Sequence, residues 1–163
     1  MALQSVKPGV AVLRPLRWWD IETVAAIDTA VFGPTAWSMA AFWSELAGVP
    51  ATHHYVVAEL DGDIVGFAGA AFGPDDSDVQ TIAVRSDHQR QGLGRRLMRE
   101  LIDEAVRRGS AHLFLEVRHD NEPAITLYRS LGFEQISVRK SYYAPGLDAV
   151  IMRLRVGRSG VTA

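Results

Sequence analysis

The chain has 163 residues, 48% hydrophobic and 22% charged, with a formal net charge of −2 and no cysteine. Those figures fit one globular domain, exclude bulk disorder, and rule out disulfides, thiolate metal sites and a cysteine nucleophile. The acidic balance speaks against a nucleic-acid surface. No apolar run nears the ~18 residues of a membrane span, and MALQSVKPGV at the start lacks a secretory hydrophobic segment, so a soluble, cytoplasmic protein is expected.

Residues 1–9 and the tail 157–163 carry little patterning and read as flexible ends around one domain at 10–156. Residues 10–14 read as a strand stopped by Pro15. Asp20 can cap a helix whose apolar stripe runs through Ile21, Val24, Ile27 and Val31. After a Gly33-Pro34 break, Ser38 can cap a second helix carrying Met39, Phe42, Trp43 and Leu46. Residues 55–60 and 64–72 are strands joined by Asp61-Gly62, a strong hairpin signal, and 79–84 is a third. Asp75, Asp76 and Asp78 crowd the turn before it.

The apolar period then changes. Over residues 92–108, Leu93, Leu97, Leu101 and Ala105 form a stripe opposite arginines and acids, and Gly109 stands where a C-terminal glycine belongs. Residues 111–118 read as a strand with Leu113, Leu115 and Val117 on one face and His112, Phe114 and Glu116 on the other. Asn121 and Pro123 open a short helix that ends at Gly132. Residues 134–139 and 149–155 close the chain as two strands around a loop at 140–148. The order β-α-α-β-β-β-α-β-α-β-β describes a single α/β domain with a mixed, mainly antiparallel sheet and flanking helices.

The most informative segment is Gln89-Arg90-Gln91-Gly92-Leu93-Gly94, which follows a strand and opens the arginine-rich helix. A helix N-terminus offers free N–H groups and partial positive charge to a phosphate. Gly92 and Gly94 would let a pyrophosphate approach the backbone, with Arg90, Arg95 and Arg96 adding charge. Two glycines also make a tight turn with no ligand, so the loop alone leaves both readings open. A dinucleotide fingerprint would need glycine at 97, where Leu97 stands, and a Walker-type loop needs Gly-Lys, which is absent. Glu116 read by alternation alone is a solvated or salt-bridged carboxylate, with Arg118 or His112 to hand. Tyr128, near Ile125, Leu127 and Leu131, reads alone as a core-edge aromatic. The five histidines show no HExxH spacing, and no metal is expected.

The run TIAVRSDHQRQGLGRRLM resembles the acetyl-CoA motif of the GCN5-related N-acetyltransferase (GNAT) superfamily. LFLEVRHDNEPAITLYRSLGF and VRKSYYAPGLDAVIM are similar to its RimI type, the ribosomal-protein-alanine N-acetyltransferases. The resemblance spans roughly residues 12–155 and is strongest between Thr81 and Tyr143. It implies the GNAT fold, with acetyl-CoA as co-substrate. Ile82, Ala83 and Val84 would hold the pantetheine and aim an N–H at the thioester carbonyl, and Arg90, Gln91, Gly92, Leu93, Gly94 and Arg95 would take the pyrophosphate. Asn121 would bind the pantetheine arm, and Tyr128 would also touch the cofactor.

The same resemblance makes Glu116 the general base and Tyr128 the general acid for direct attack in a ternary complex. An α-amine has a pKa of about 7.7–8.0 and must be neutralised before attack, while the departing thiolate, of pKa about 8.5, benefits from a proton. The implied acceptor is the N-terminal alanine of a ribosomal protein, held between the region of Trp37 to Trp43 and the segment of Tyr142 and Tyr143. Asp75, Asp76, Asp78 and Glu45 would steer basic residues behind that alanine. A lysine side chain, polyamine or small amine as acceptor is the second reading. A non-catalytic acetyl-CoA-binding module is the third, and the presence of both Glu116 and Tyr128 argues against it.

Overall fold

The computed structural model describes residues 9–157. Apart from Gly9 and Gly157, the ends expected to be flexible lie outside the described residues; Gly157 donates its backbone N–H to the Ala111 carbonyl at 3.0 Å. The chain runs through β1 (Val12–Pro15), α1 (Ile21–Phe32), α2 (Met39–Ala47), β2 (His53–Leu60), β3 (Asp63–Phe72) and β4 (Asp76–Val84). It continues as α3 (Leu93–Arg107), β5 (His112–Arg118), α4 (Glu122–Ser130), β6 (Glu134–Ala144) and β7 (Leu147–Arg155). The strands form one sheet in the order β1-β2-β3-β4-β5-β7-β6, in which only β4 and β5 run parallel.

The sheet is covered on both faces, which explains why β3 is buried almost continuously instead of alternating. On one face Leu97, Met98 and Leu101 of α3 and Ile125 of α4 pack with Val56, Ala68, Leu113 and Met152. On the other, Ile21, Val24 and Ile27 of α1 and Phe42 of α2 pack with Tyr55, Val57, Phe67 and Ala83. Among the described residues, the second core stops at β4. The face of β5 that carries Phe114 and Glu116 therefore has no helix over it, and a groove opens there.

Several sequence expectations shift. β1 does end at Pro15, but Pro15 is itself its last paired residue, opposite Val56, which an edge strand tolerates because proline lacks only its outward N–H. Asp20 stands at the N-cap position of α1 but its side chain makes no capping bond there; it ends a 3-10 turn, and its carboxylate accepts from Arg14 at 2.7 and 3.0 Å and from the Arg17 N–H at 2.8 Å. Ser38 does cap α2, accepting from the Ala41 N–H at 3.1 Å. Asp76 and Asp78 lie on β4 and not in a turn. The segment 140–148 is the end of a β6–β7 hairpin turned at Pro145-Gly146, with Gly146 at φ +76°. Its register slips between Arg139 and Ala144, with Ser141 at φ +50°, and Asp148 ties the bulge by accepting the Ser141 N–H at 2.8 Å.

Candidate active site

The parallel seam between β4 and β5 is only three residue pairs long, ending at Asp78 and Phe114. Opposite it, β3 passes from Gly69–Thr81 to Ala70–Val79, so Gln80 is bulged out of β4. A bulge bends its strand and increases its twist, and here it turns β4 away from β5 just past the last shared pair. The facing edges of Val79–Val84 and 115–118 are left without a strand partner across the seam. A cleft of about 570 Å³ fills the opening.

Ile82, Ala83 and Val84 line one wall of that cleft, and Asn121 and Tyr128 line the other with Glu116. Arg90, Gly92, Leu93, Gly94 and Arg95 close its end at the start of α3. Gln91 is not among the lining residues. Arg96 turns away and donates to the Ala11 carbonyl at 2.6 Å, so it adds no charge to the loop. The two loop glycines serve different ends. Gly92 adopts φ +82°, a left-handed backbone that glycine takes without penalty, and a Cβ there would meet nothing within 4 Å. A Cβ at Gly94 would come within 3.3 Å of Leu127, so that glycine lets α3 approach α4. Among the described residues no side chain caps α3, which leaves its first N–H groups to a ligand. Open space above Gly92, an uncapped helix start, and Arg90 and Arg95 beside it fit a pyrophosphate-bearing donor.

Asn121 caps α4, its Oδ1 accepting the Ala124 N–H at 3.3 Å, while it also lines the cleft. Tyr128 is 7% exposed, and burial first and Tyr143 second raise its pKa well above that of a free phenol. No hydrogen bond contributes to that shift, so the hydroxyl stands protonated against the cleft.

A second cavity, a groove of about 760 Å³, lies on the bare face of β5. Phe114, Asp78 and Ile151 line it with Tyr142. Thr35, Trp37, Gln80, Glu116 and Tyr143 line both cavities, so the two meet at Glu116. The partner of Glu116 is neither Arg118 nor His112: Arg139 reaches it at 3.0 Å, while Arg118 binds Asp120 and His112 binds Asp76. The Tyr142 hydroxyl is raised first by the nearby Glu116 carboxylate and then by burial; Tyr143 is pushed up to about 12 by burial and then by Glu116. Desolvation, then the Glu116 and Asp76 carboxylates, raises Asp78.

The expected acidic cluster is thus split. Asp78 alone of the three aspartates lines the groove, Asp76 faces His112 at 3.1 Å, and Glu45 is held by Gln80 at 2.9 Å and His53 at 2.8 Å. Trp43 also stays outside the groove, stacked on Trp18 with ring centroids 6.4 Å apart. The segment from Gly33 to Trp37 is fixed from below by Asp28, 1% exposed, whose Oδ2 accepts the Trp37 N–H at 2.7 Å. Its Oδ1 is buried without a hydrogen-bond partner among the described residues. Asp28 was findable in the sequence: it sits four residues after Val24 and three before Val31, a carboxylate inside an apolar stripe. His54, Glu100 and Glu104 come together beside α3, but Arg107 and Arg108 already engage Glu104 at 2.6 and 2.8 Å, which meets its charge without a metal ion.

Residues 17–133 match the acetyltransferase (GNAT) family. The chain is 42% identical over 140 residues to the N-alpha-acetyltransferase RimI of Mycobacterium tuberculosis, covering 82% of this chain and 85% of that protein. It is 44% identical over 140 residues, again 82% of this chain, to an uncharacterized protein of Mycobacterium leprae of which it spans 38%. The crystal structure of the ribosomal-protein-S18-alanine N-acetyltransferase from Escherichia coli superposes with a TM-score of 0.84 at 34% identity, covering 94% of this chain and 98% of that one.

Proposed function

The chain belongs to the acetyltransferase (GNAT) family, and from that premise we propose that it acetylates the N-terminal α-amine of a protein, with a ribosomal protein beginning in alanine as the acceptor. The observation that carries the reading is the junction of cleft and groove at Glu116, which puts one carboxylate within reach of both a donor and an acceptor. Acetyl-CoA supplies the activated acetyl thioester. The open edge of β4 at Ile82, Ala83 and Val84 presents backbone N–H groups to the thioester oxygen, where negative charge develops during attack. Gly92 and its neighbours hold the pyrophosphate, and Asn121 the pantetheine arm.

Glu116 takes a proton from the acceptor ammonium, freeing the nitrogen lone pair to form the C–N bond. Tyr128, kept protonated by burial, donates its hydroxyl proton to the sulfur as the C–S bond breaks. The nitrogen sheds its second proton as it becomes an amide, which restores the phenol, and Glu116 releases the first to solvent. Asp78 and Glu116 give the groove two carboxylates, which suits an ammonium followed by a basic residue. The names of the Mycobacterium tuberculosis and Escherichia coli proteins support this acceptor class, and a ribosomal acceptor would be met in the cytoplasm.

The test is thiol release from acetyl-CoA with short peptides that differ in their first two residues, with a lysine side chain and a polyamine as competing acceptors. An alanine-first peptide with a basic second residue is expected to lead. Glu116→Gln should lose about 10²–10⁴-fold at pH 7 and recover part of that loss above the amine pKa of about 8. A deficit constant from about pH 6.5 to 9.5 would make Glu116 a positioning group instead of a base. Preference for the lysine side chain or the polyamine would move the acceptor to the second reading.

A further inference from the structure

Glu116 is already paired with a cation of the protein's own. Arg139 stands on β6, at the edge of the sheet, and its side chain crosses the width of β7 to reach Glu116 on β5 at 3.0 Å. The reach is diagonal: Arg139 pairs with Ala149, whereas Glu116 pairs with Ile151, two residues further along β7 and on the same face. Its guanidinium also lies 4.7 Å from the centroid of the Tyr142 ring. A carboxylate and an aromatic face together make a binding place for a cation. That place is in the acceptor groove, since Glu116 and Tyr142 both line it.

We propose that Arg139 is a specificity-determining residue that fills the cation subsite of the groove until a charged acceptor displaces it, and refills it once acetylation has removed that charge. The inference rests on reading the groove as the acceptor side and Glu116 as the partner of the acceptor amine. The guanidinium makes one hydrogen bond to Glu116, and an incoming α-ammonium offers an equivalent one, so it can take the place of Arg139 at little net cost. The acetylated product is a neutral amide and offers the carboxylate no charge, so Arg139 returns and the product leaves. The pair suits such an exchange. Its side chains are 54% and 33% exposed, and an ion pair that open to water is weak enough to be broken by a bound ligand. The slip in β6 between Arg139 and Ala144 lies next to the pair, so Arg139 can withdraw without breaking a regular ladder.

Binding, not turnover, tests this. Calorimetry on the full chain with coenzyme A present would measure an alanine-first peptide and its N-acetylated form. Arg139→Gln is expected to tighten the N-acetylated peptide by about threefold to fivefold, the worth of an exposed ion pair that no longer has to be broken. Arg139→Lys keeps the cation and should stay near the wild type. Glu116→Gln should tighten the same peptide to the same extent, and the double variant should add nothing further, because the two changes remove one interaction. Unchanged or weaker binding in Arg139→Gln, or additive effects in the double variant, would overturn the proposal. Turnover of Glu116→Gln reports separately: full activity there would remove the base assignment and leave the binding cycle to decide on Arg139.

Discussion

Arg90 adopts φ +62° in the loop that opens α3, a left-handed conformation that costs a side-chain-bearing residue about 1–2 kcal/mol. Arg90→Gly should therefore raise folding stability by up to about 1 kcal/mol after the added freedom of the unfolded chain is counted, while weakening acetyl-CoA binding. Chemical denaturation and calorimetry on one preparation check both halves, and a loss of stability would show the loop unstrained. Asp28 makes a second residue-scale case, this one in pH. Burial raises its carboxyl pKa, and the Trp37 N–H and the nearby Thr81 hydroxyl offset this only in part. A raised folded pKa means that the ionised form costs stability above it, and that the cost is relieved as pH falls through it. Asp28→Asn can keep the Trp37 bond without the charge. It should be more stable than the wild type by about 1 kcal/mol at pH 7, a gap that closes on acidification as Asp28 takes up its proton. A gap independent of pH would mean that the charge is not the cause.

At the scale of elements, the site is made by irregularities in regular strands. The bulge at Gln80 opens the β4–β5 seam, and the slip between Arg139 and Ala144 sits beside Glu116. Neither leaves a mark in hydrophobic alternation, which reads a bulged strand as a strand. β3 carries its own constraint at Gly69, which pairs with Tyr55: a Cβ there would overlap the Tyr55 ring, itself 3% exposed. Gly69→Ala should lower stability by about 1–3 kcal/mol in urea titrations, the usual cost of overfilling a packed core. Replacing Tyr55 by Leu in the same chain should return part of that loss, because the clash is with the ring. If it returns nothing, the backbone of β3 and not the ring is what Gly69 accommodates.

For the whole molecule, the consequence is a domain whose sheet is covered on both faces up to β4 and open on one face beyond it. A donor bound in the cleft bridges β4, α3 and α4, and binds only the folded state. Acetyl-CoA at a hundredfold excess over its Kd should therefore add about 2.7 kcal/mol and raise the Tm by roughly 5–10 °C. Asparagine tolerates a left-handed backbone, so Gly92→Asn should fold. Its side chain would enter the space now open above the loop, and the shift should vanish. A full shift in that variant would place the donor elsewhere. No described helix is long and apolar enough to cross a membrane.

Periodicity and caps determined the order of eleven strands and helices, because each of those signals is local: an apolar stripe, Ser38 before α2, Asn121 before α4, Asp61-Gly62 between β2 and β3. The loop from Arg90 to Arg95, with Glu116 and Tyr128, was visible through motif resemblance, and the fold brings all of them except Gln91 to one cleft. What the sequence could not give were relations between distant segments. Asp20 reads as a cap in the sequence, but Arg14 takes its carboxylate, and Glu45, expected to help steer the acceptor, is held by Gln80 and His53. Arg139 reaches Glu116 from a strand that is not its neighbour in the sheet, and Asp28 pins Trp37 from beneath. Local chemistry sets which backbone conformations a segment prefers. Which charge meets which, and where a sheet is left uncovered, depends on the packing of elements far apart in the chain, and only the tertiary structure decided it.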